Sequence, residues 1–588
     1  MQKLKTDKDN PTTKWARVAT VQMLLLICGL VLGSCALMSE ARSSAKVDYS
    51  VSQIQFQGNV VALKVDMRFA GDADGQTLVQ LPSSSGSERD LWRLIQNLSV
   101  TGGTFERASK PQLVIAHAPN ESLIVSYEVV SSHPNGLISE PEPGQDRPII
   151  RPTWVSFIGK SLFPYPVGAQ ARQASFVWRN LPSTWKWGSD LQQQGLTVAG
   201  VLNSSTLAGL DVQKRVLDLK DGKLTVVWRG TFDSNLETTF DAFARIVDFH
   251  HNFWNSGSRD FTVTIVPLLE TVGPRWVVGT GLGDGFAIWA ASNVPMDGFE
   301  YIFAHELLHE WINQRGKLAE HESLGQAEAW FIEGFTDYYT IKSLFKTGTW
   351  SKDQTISWWN GVLLEYQTSP GRGKPNDLIS SRFWTDPVFE RLPYVRGSLI
   401  AMYLDNSLQK NATLANGLDD VMLTWSALAK DGTKSSVSVL VEAFDLLKVT
   451  SVTSELASYV TDGKDIPFEL LGDLNCMAIQ KINVPKFERG FDLAGTLENS
   501  NFVVGVTENE NAFRAGLRNG MKLEKLLEDR PRNSNISVKY EVSTVEGKRV
   551  VLSWLPQSTQ TQNIWQFSNR IRPASGSERS GNVTDCSF

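Results

Sequence analysis

Apolar residues recur at every second position through the first third of the chain. Val61, Leu63, Val65, Met67 and Phe69 alternate with small or charged residues, which predicts a half-buried strand. Leu113-Val114-Ile115 and Leu123-Ile124-Val125 are short apolar segments between turn residues, and Leu196 to Leu202 and Lys223 to Gly230 continue the pattern. Together they predict an N-terminal β domain over 51–232. The period then changes. Phe261 to Pro267 reads as one more strand, and a glycine-rich segment comes after it. Next, Ile302, His305, Leu308, His309 and Ile312 share one stripe at helical spacing, with Gly316 suited to the helix end. Further helices are predicted over Gln326 to Leu344, Ile356 to Gln367, Val395 to Gln409, Asp419 to Lys430 and Ser436 to Leu447. Residues 235–475 therefore read as one mixed, then mainly helical, domain.

Composition changes this picture little. At 588 residues the chain has material for three or four domains. Its apolar fraction of 41% is that of an ordinary globular protein. A net charge of −6 implies no broad nucleic-acid surface. The beginning of the chain is different. Lys3, Lys5, Lys8, Lys14 and Arg17 precede an apolar run from Val18 to Leu32, the pattern of a signal peptide over 1–34. Leu32-Gly33-Ser34-Cys35 resembles a bacterial lipobox, which makes Cys35 the candidate lipidation site and 35–50 a tether; the alternative is an uncleaved signal anchor. Both place the rest of the chain outside the cytoplasm, in a bacterial cell envelope or periplasm and tied to the membrane. Cys476 and Cys586 are then an even pair in an oxidising compartment and a candidate disulfide.

The strongest chemical signal is His305-Glu306-Leu307-Leu308-His309. HExxH on a helix puts two imidazoles on one face, one turn apart, where they can share one zinc ion (Zn2+), with Glu306 as general base toward zinc-activated water. Two glutamates compete as third ligand. Glu328 comes after His309 with 18 intervening residues and Glu333 with 23. Five residues apart on one helix, they point in directions about 140° apart and cannot both serve. Glu333 has Asp337 one turn later on its own face, able to orient a ligating His, whereas Glu328 has Ile332 there. That favours Glu333. His321 reads as a loop residue.

These residues resemble the glycyl aminopeptidase family of gluzincin zinc metallopeptidases, which carry a PDZ-like domain. The match lies in HExxHxW, here His305 to Trp311, and in W-x-x-E-G-F-T-x-Y-Y, here Trp330 to Tyr339. A third match is Pro393-Tyr394-Val395-Arg396-Gly397, which resembles the segment whose Tyr stabilises the tetrahedral intermediate. The resemblance implies a zinc aminopeptidase, a thermolysin-like catalytic domain and Tyr394 as oxyanion donor. One segment departs from the family. The strand whose Glu binds the substrate amine reads Gly279-Thr280-Gly281-Leu282-Gly283-Asp284-Gly285 here, with Gly283 at the Glu position and Asp284 on the opposite face. Gly281, Leu282, Gly283 and Asp284 remain candidate substrate-binding positions, because glycine permits close pairing with an extended peptide. Without that Glu, an endopeptidase stands beside an aminopeptidase.

Residues 483–556 resemble a PDZ domain, through Phe502-Val503-Val504-Gly505-Val506 and Asn511 to Met521. Such a domain implies a peptide ligand added as a strand. The Ser/Gln/Asn-rich stretch 560–588 reads as a polar tail. The expected whole is a multidomain α+β protein: N-terminal β domain, thermolysin-like mixed and helical catalytic domain, C-terminal PDZ-like domain. Its expected partners are a peptide or protein substrate, a peptide at the PDZ-like domain and the membrane. A non-enzymatic envelope binding protein is the rival reading, and an intact Glu306 weighs against it.

Overall fold

The computed structural model describes residues 46–569, apart from 86–87, 131–145, 258–259, 269–276, 283–284, 313–321, 410–413, 430–434, 450–451 and 474–476. The expected signal segment with Cys35, the Cys476–Cys586 pair, Gly283, Asp284, Gly316 and His321 lie outside the described residues. The chain is a multidomain mixed α/β protein with two compact units.

The first unit comprises the described residues of 46–130, 146–184 and 191–203. Its five-stranded sheet runs Ala174–Arg179, Val47–Phe56, Asn59–Ala70, Ser122–Val130, Ile95–Thr101. Leu63, Val65, Met67 and Phe69 face its core, as their alternation predicts. Val61 does not; it is exposed. The partner strand shifts register between Ile54 and Gln55, and Ala62 and Leu63 are buried in succession, so the alternation breaks there. Leu196 to Leu202 also differs from expectation. Thr197 Oγ1 accepts from the Gly200 amide at 3.1 Å and caps a short helix, Val198–Leu202, where a strand was expected.

The second unit takes in Trp185–Asp190 and the described chain from Ser204 on, ahead of the expected boundary at 232, and its largest sheet starts at Gln213. Its strands are β1 (Gln213–Asp218) and β2 (Lys223–Trp228), then, after helix α1 (Glu237–Phe253), β3 (Phe261–Leu268), β4 (Val277–Gly281) and β5 (Gly285–Ala291), in the order β1-β2-β3-β5-β4. β2, β3 and β5 are parallel. A parallel pair needs a crossover helix, and α1 supplies it between β2 and β3, so β2 belongs to this sheet and not to the first unit. Both faces of β5 are buried, which is why its sequence is apolar without alternation. β4 pairs antiparallel with β5 and forms the sheet edge.

Beyond this sheet the chain turns helical: α2 (Met296–Ile312), α3 (Glu322–Lys346), α4 (Lys352–Thr368), α5 (Asn376–Arg382), α6 (Pro387–Gln409), α7 (Leu418–Leu428) and α8 (Ser436–Leu446). Phe303 of α2 stacks on Phe243 of α1 with ring centroids 3.8 Å apart, which fixes α2 over the sheet. α3 and α6 cross in backbone contact. A Cβ placed on Gly334 would lie 2.3 Å from the Gly397 Cα, and one on Gly397 would lie 1.8 Å from the Trp330 carbonyl oxygen. Nothing larger than glycine fits at either place. α6 begins eight residues before its expected start at Val395, with Pro393 inside it. Tyr394 is therefore a mid-helix residue rather than a helix-start one.

A long antiparallel ribbon ends the described chain. β6 (Met477–Phe487) is followed by β7 (Lys522–Glu528), β8 (Val538–Ser543) and β9 (Arg549–Trp554), and then by β10 (Gln557–Asn569), which pairs back onto β6. Between the ribbon strands, β7 to β9 form one sheet over a separate apolar cluster of Phe491, Val503, Leu517, Tyr540 and Trp554. The polar stretch from 560 thus begins as a strand and is not tail before Asn569. Its second edge is covered by α4. Asn360 and Gln367 each exchange two hydrogen bonds with the backbone of Phe567 and Trp565, at 2.6–3.0 Å. Two side-chain amides, two helical turns apart, thereby act as a missing strand.

Candidate active site

α2 and α3 lie side by side, and their buried faces carry the candidate ligands. His305 Nε2 and His309 Nε2 stand 3.2 Å apart. Glu333 Oε2 is 3.3 Å from the first and 3.4 Å from the second. The three atoms make a nearly equilateral triangle. Ligand atoms about 2.0–2.1 Å from a tetrahedral zinc ion stand roughly 3.3 Å apart, so the donor set fits that ion without rearrangement. His305 and His309 are buried. Glu306 is buried beside them, with a carboxylate oxygen within 4.8 Å of both imidazoles. Glu333 Oε2 bridges the two rings more closely than that, which marks Glu333 as the better third donor and leaves Glu306 adjacent.

Asp337 sits behind His305. Its carboxylate accepts from His305 Nδ1 at 2.9 Å and from the Tyr301 hydroxyl, with its side chain wholly buried. With Nδ1 carrying the proton, Nε2 presents its lone pair to the ion. In the metal-free site burial alone would depress the His305 pKa, but hydrogen bonds to Asp337 and Glu333 outweigh it and raise it to about 10. Burial works against the Glu333 carboxylate, yet the neighbouring imidazoles hold it well below the usual range. The competing glutamate, Glu328, is elsewhere. Its two oxygens accept from the Ser436 and Val437 amides at 3.1 and 3.2 Å, capping the N-terminus of α8.

Tyr394 comes from α6. Its ring faces His305 at 6.1 Å between centroids and 23° between planes. Burial, and then the charge of Glu333, push its pKa well above the ordinary phenol value, so it remains a protonated donor. The Arg391 guanidinium lies 5.2 Å from the Tyr394 ring centroid. The glycine crossing of α3 and α6 sets this geometry, because Glu333 and Tyr394 flank it in sequence. Farther along α3, Tyr339 donates to Asp419 at 2.9 Å and Tyr338 to Asp405, anchoring the helix to α6 and α7. Trp311, last of the HExxHxW residues, is buried and donates to Ser256 at 3.2 Å, tying the end of α2 to the loop after α1.

Gly279, Thr280 and Gly281 of the glycine-rich segment lie in β4. Gly281 ends the strand, and the buried Leu282 donates its amide to Gly285 at 3.0 Å. A close approach does occur here, but to Glu306. A Cβ on Gly279 would lie 2.3 Å from Glu306 Cγ, so the edge strand lets the carboxylate lie flat against it. Tyr301, Arg391 and Gly279 were not legible as site residues. Tyr301 carried one local signal, a polar tip one turn before His305 on the ligand face. Arg391 carried one only once α6 extends before Pro393.

Residues 299–391 match the M61 glycyl aminopeptidase family. The match runs from the first turn of α2 to Arg391 and includes His305, Glu306, His309, Glu333 and Asp337. The fold is also that of an aminopeptidase N family protein from Idiomarina loihiensis, 15% identical, over 89% of this chain and 98% of that one, with a TM-score of 0.63. An M1 zinc metallopeptidase from Deinococcus radiodurans is 12% identical over 72% of this chain and 95% of that one, with a TM-score of 0.48. No curated protein matches the chain.

Proposed function

We propose that the chain is a zinc-dependent peptidase, aminopeptidase-like, with one ion held by His305, His309 and Glu333. The observation that carries the reading is the triangle of three donor atoms, 3.2–3.4 Å on each side, with Asp337 behind it. The family match over 299–391 supports it independently. When bound, zinc acidifies water and polarises the scissile carbonyl. Glu306 accepts the proton of the attacking water and delivers it to the leaving amine. Tyr394 donates its phenolic hydrogen to the developing oxyanion. Asp337 holds His305 in the ligating tautomer, and the wall of α2 and β4 keeps Glu306 within reach of the same point.

β4 favours an extended substrate. It is the edge strand of its sheet and borders α2, where a peptide can add as a further strand. Gly283 at the position of the family's amine-binding Glu supports a second reading, an endopeptidase. A peptide library with half its N-termini acetylated separates the two. Loss of one residue at a time from free N-termini supports the first reading, and internal cuts in blocked and free peptides alike support the second. Glu306→Gln is the control; full turnover in that variant removes the mechanism.

The module of β7 to β9 is, on this reading, PDZ-like and takes a peptide. The enzyme is exported to the envelope, with Cys35 lipidated. Mass spectrometry of the mature N-terminus decides this, since an unmodified or uncleaved Cys35 rejects lipidation.

A further inference from the structure

An ion-pair chain leads from the C-terminal module to the candidate oxyanion donor. Arg532, in the loop between β7 and β8, donates through Nη1 to the Glu365 backbone oxygen at 3.4 Å and stands 3.7 Å from its Oε1. Glu365 Oε2 accepts from Arg391 Nε at 3.4 Å. The Arg391 guanidinium then covers the ring of Tyr394, one turn later on α6. Arg391 also feels the charge of Asp337 behind His305. Two features make this chain rigid. α4, which carries Glu365, is pinned to β10 through Asn360 and Gln367, and Leu364 packs against Val484 and Ile564 of the ribbon. The Arg532 loop is itself held, because Ser534 donates to the Pro485 carbonyl of β6 at 2.6 Å. Arg532 has φ +69°, a left-handed backbone that few non-glycine residues adopt.

We propose that Glu365 is a positioning residue for Tyr394, acting through Arg391, and that Arg532 of the C-terminal module holds Glu365 in that role. This rests on the peptidase reading, in which Tyr394 meets the oxyanion. Glu365 draws the Arg391 guanidinium toward α4. Without it, the carboxylate left to attract Arg391 is that of Asp337, which has to stay with His305. The guanidinium would then leave the Tyr394 ring and disturb the ligand's partner together. The side chains of Glu365, Arg391 and Arg532 are 27%, 41% and 38% exposed, so these ion pairs contribute little to folding and their loss should show in catalysis.

The test uses the full-length, zinc-loaded protein and measures kcat, KM and zinc content in a double-variant cycle. Glu365→Ala should lower kcat about tenfold with KM and zinc content nearly unchanged, as expected for a misplaced reacting group. Arg532→Ala should lower kcat about threefold, and the double variant should be no worse than Glu365→Ala, because one residue acts through the other. Arg532→Lys should recover most of the loss. Wild-type kcat in Arg532→Ala, or losses that multiply in the double variant, would overturn the proposal. Amide exchange over 388–395 gives a readout independent of turnover. It should quicken in Arg532→Ala, and unchanged exchange would also overturn the coupling. If the wild type cleaves no peptide at all, the peptidase reading fails and the exchange result alone decides whether the module reaches α6.

Discussion

Asp337 decides which nitrogen of His305 is available. Removing its charge in Asp337→Asn should weaken zinc binding by about 10- to 100-fold while leaving the fold intact, measured by competition with a chromogenic chelator. His305 should also make zinc uptake depend on pH. In the metal-free protein its pKa is raised from 6.5 to about 10, so a proton has to leave before Nε2 can ligate. Apparent zinc affinity should therefore rise about tenfold per pH unit across neutral and mildly alkaline pH, with proton release detectable in weak buffer. The sign for stability is the opposite. A raised pKa makes the charged His305 stabilising below pH 6.5, and that contribution fades as pH climbs toward 10, so the metal-free fold should lose stability there. A melting temperature that rises over the same interval contradicts the assignment. Tyr394→Phe removes one donor and nothing else, and should cost about 10²–10³ in kcat with zinc retained.

The elements around the site were legible where the signal was local. HExxH and the Trp330 to Tyr339 string each lie on one helix, so helical period alone shows which of their residues share a face. Contacts between elements were not legible. Asp337 one turn after Glu333 favours it over Glu328 within α3, but the partners themselves come from other helices: the start of α8 for Glu328, two imidazoles for Glu333. The start of α6 was missed because proline commonly opens a helix, whereas Pro393 lies inside this one. The two motif glycines read as punctuation in sequence and act as a crossing point in space. Gly334→Ala and Gly397→Ala should each force α3 and α6 apart, destabilising the protein by about 2 kcal/mol or more and uncoupling Tyr394 from Glu333. Thermal melts and residual turnover check this; a variant with wild-type values for both would remove the crossing as the positioning device.

At the scale of the whole molecule a multidomain mixed α/β chain was legible, but not which sheet each strand joins. Strands Gln213–Asp218 and Lys223–Trp228 look like their predecessors because local alternation says nothing about which sheet a strand joins. The same limit hid β10. Its polar outer positions suggested a tail, yet α4 supplies the hydrogen bonds that a neighbouring strand would. Asn360→Ala and Gln367→Ala each orphan a β10 amide and carbonyl, and should cost about 1–3 kcal/mol apiece by denaturant melting. The most direct measurement, however, concerns the ion itself. Metal-stripped wild type, Glu333→Gln and Glu328→Gln should be titrated with zinc and the affinities compared. The geometry predicts tight uptake of one ion by wild type and Glu328→Gln, and an affinity loss of about 100-fold or more in Glu333→Gln. Loss of zinc binding in Glu328→Gln with Glu333→Gln unaffected would contradict it.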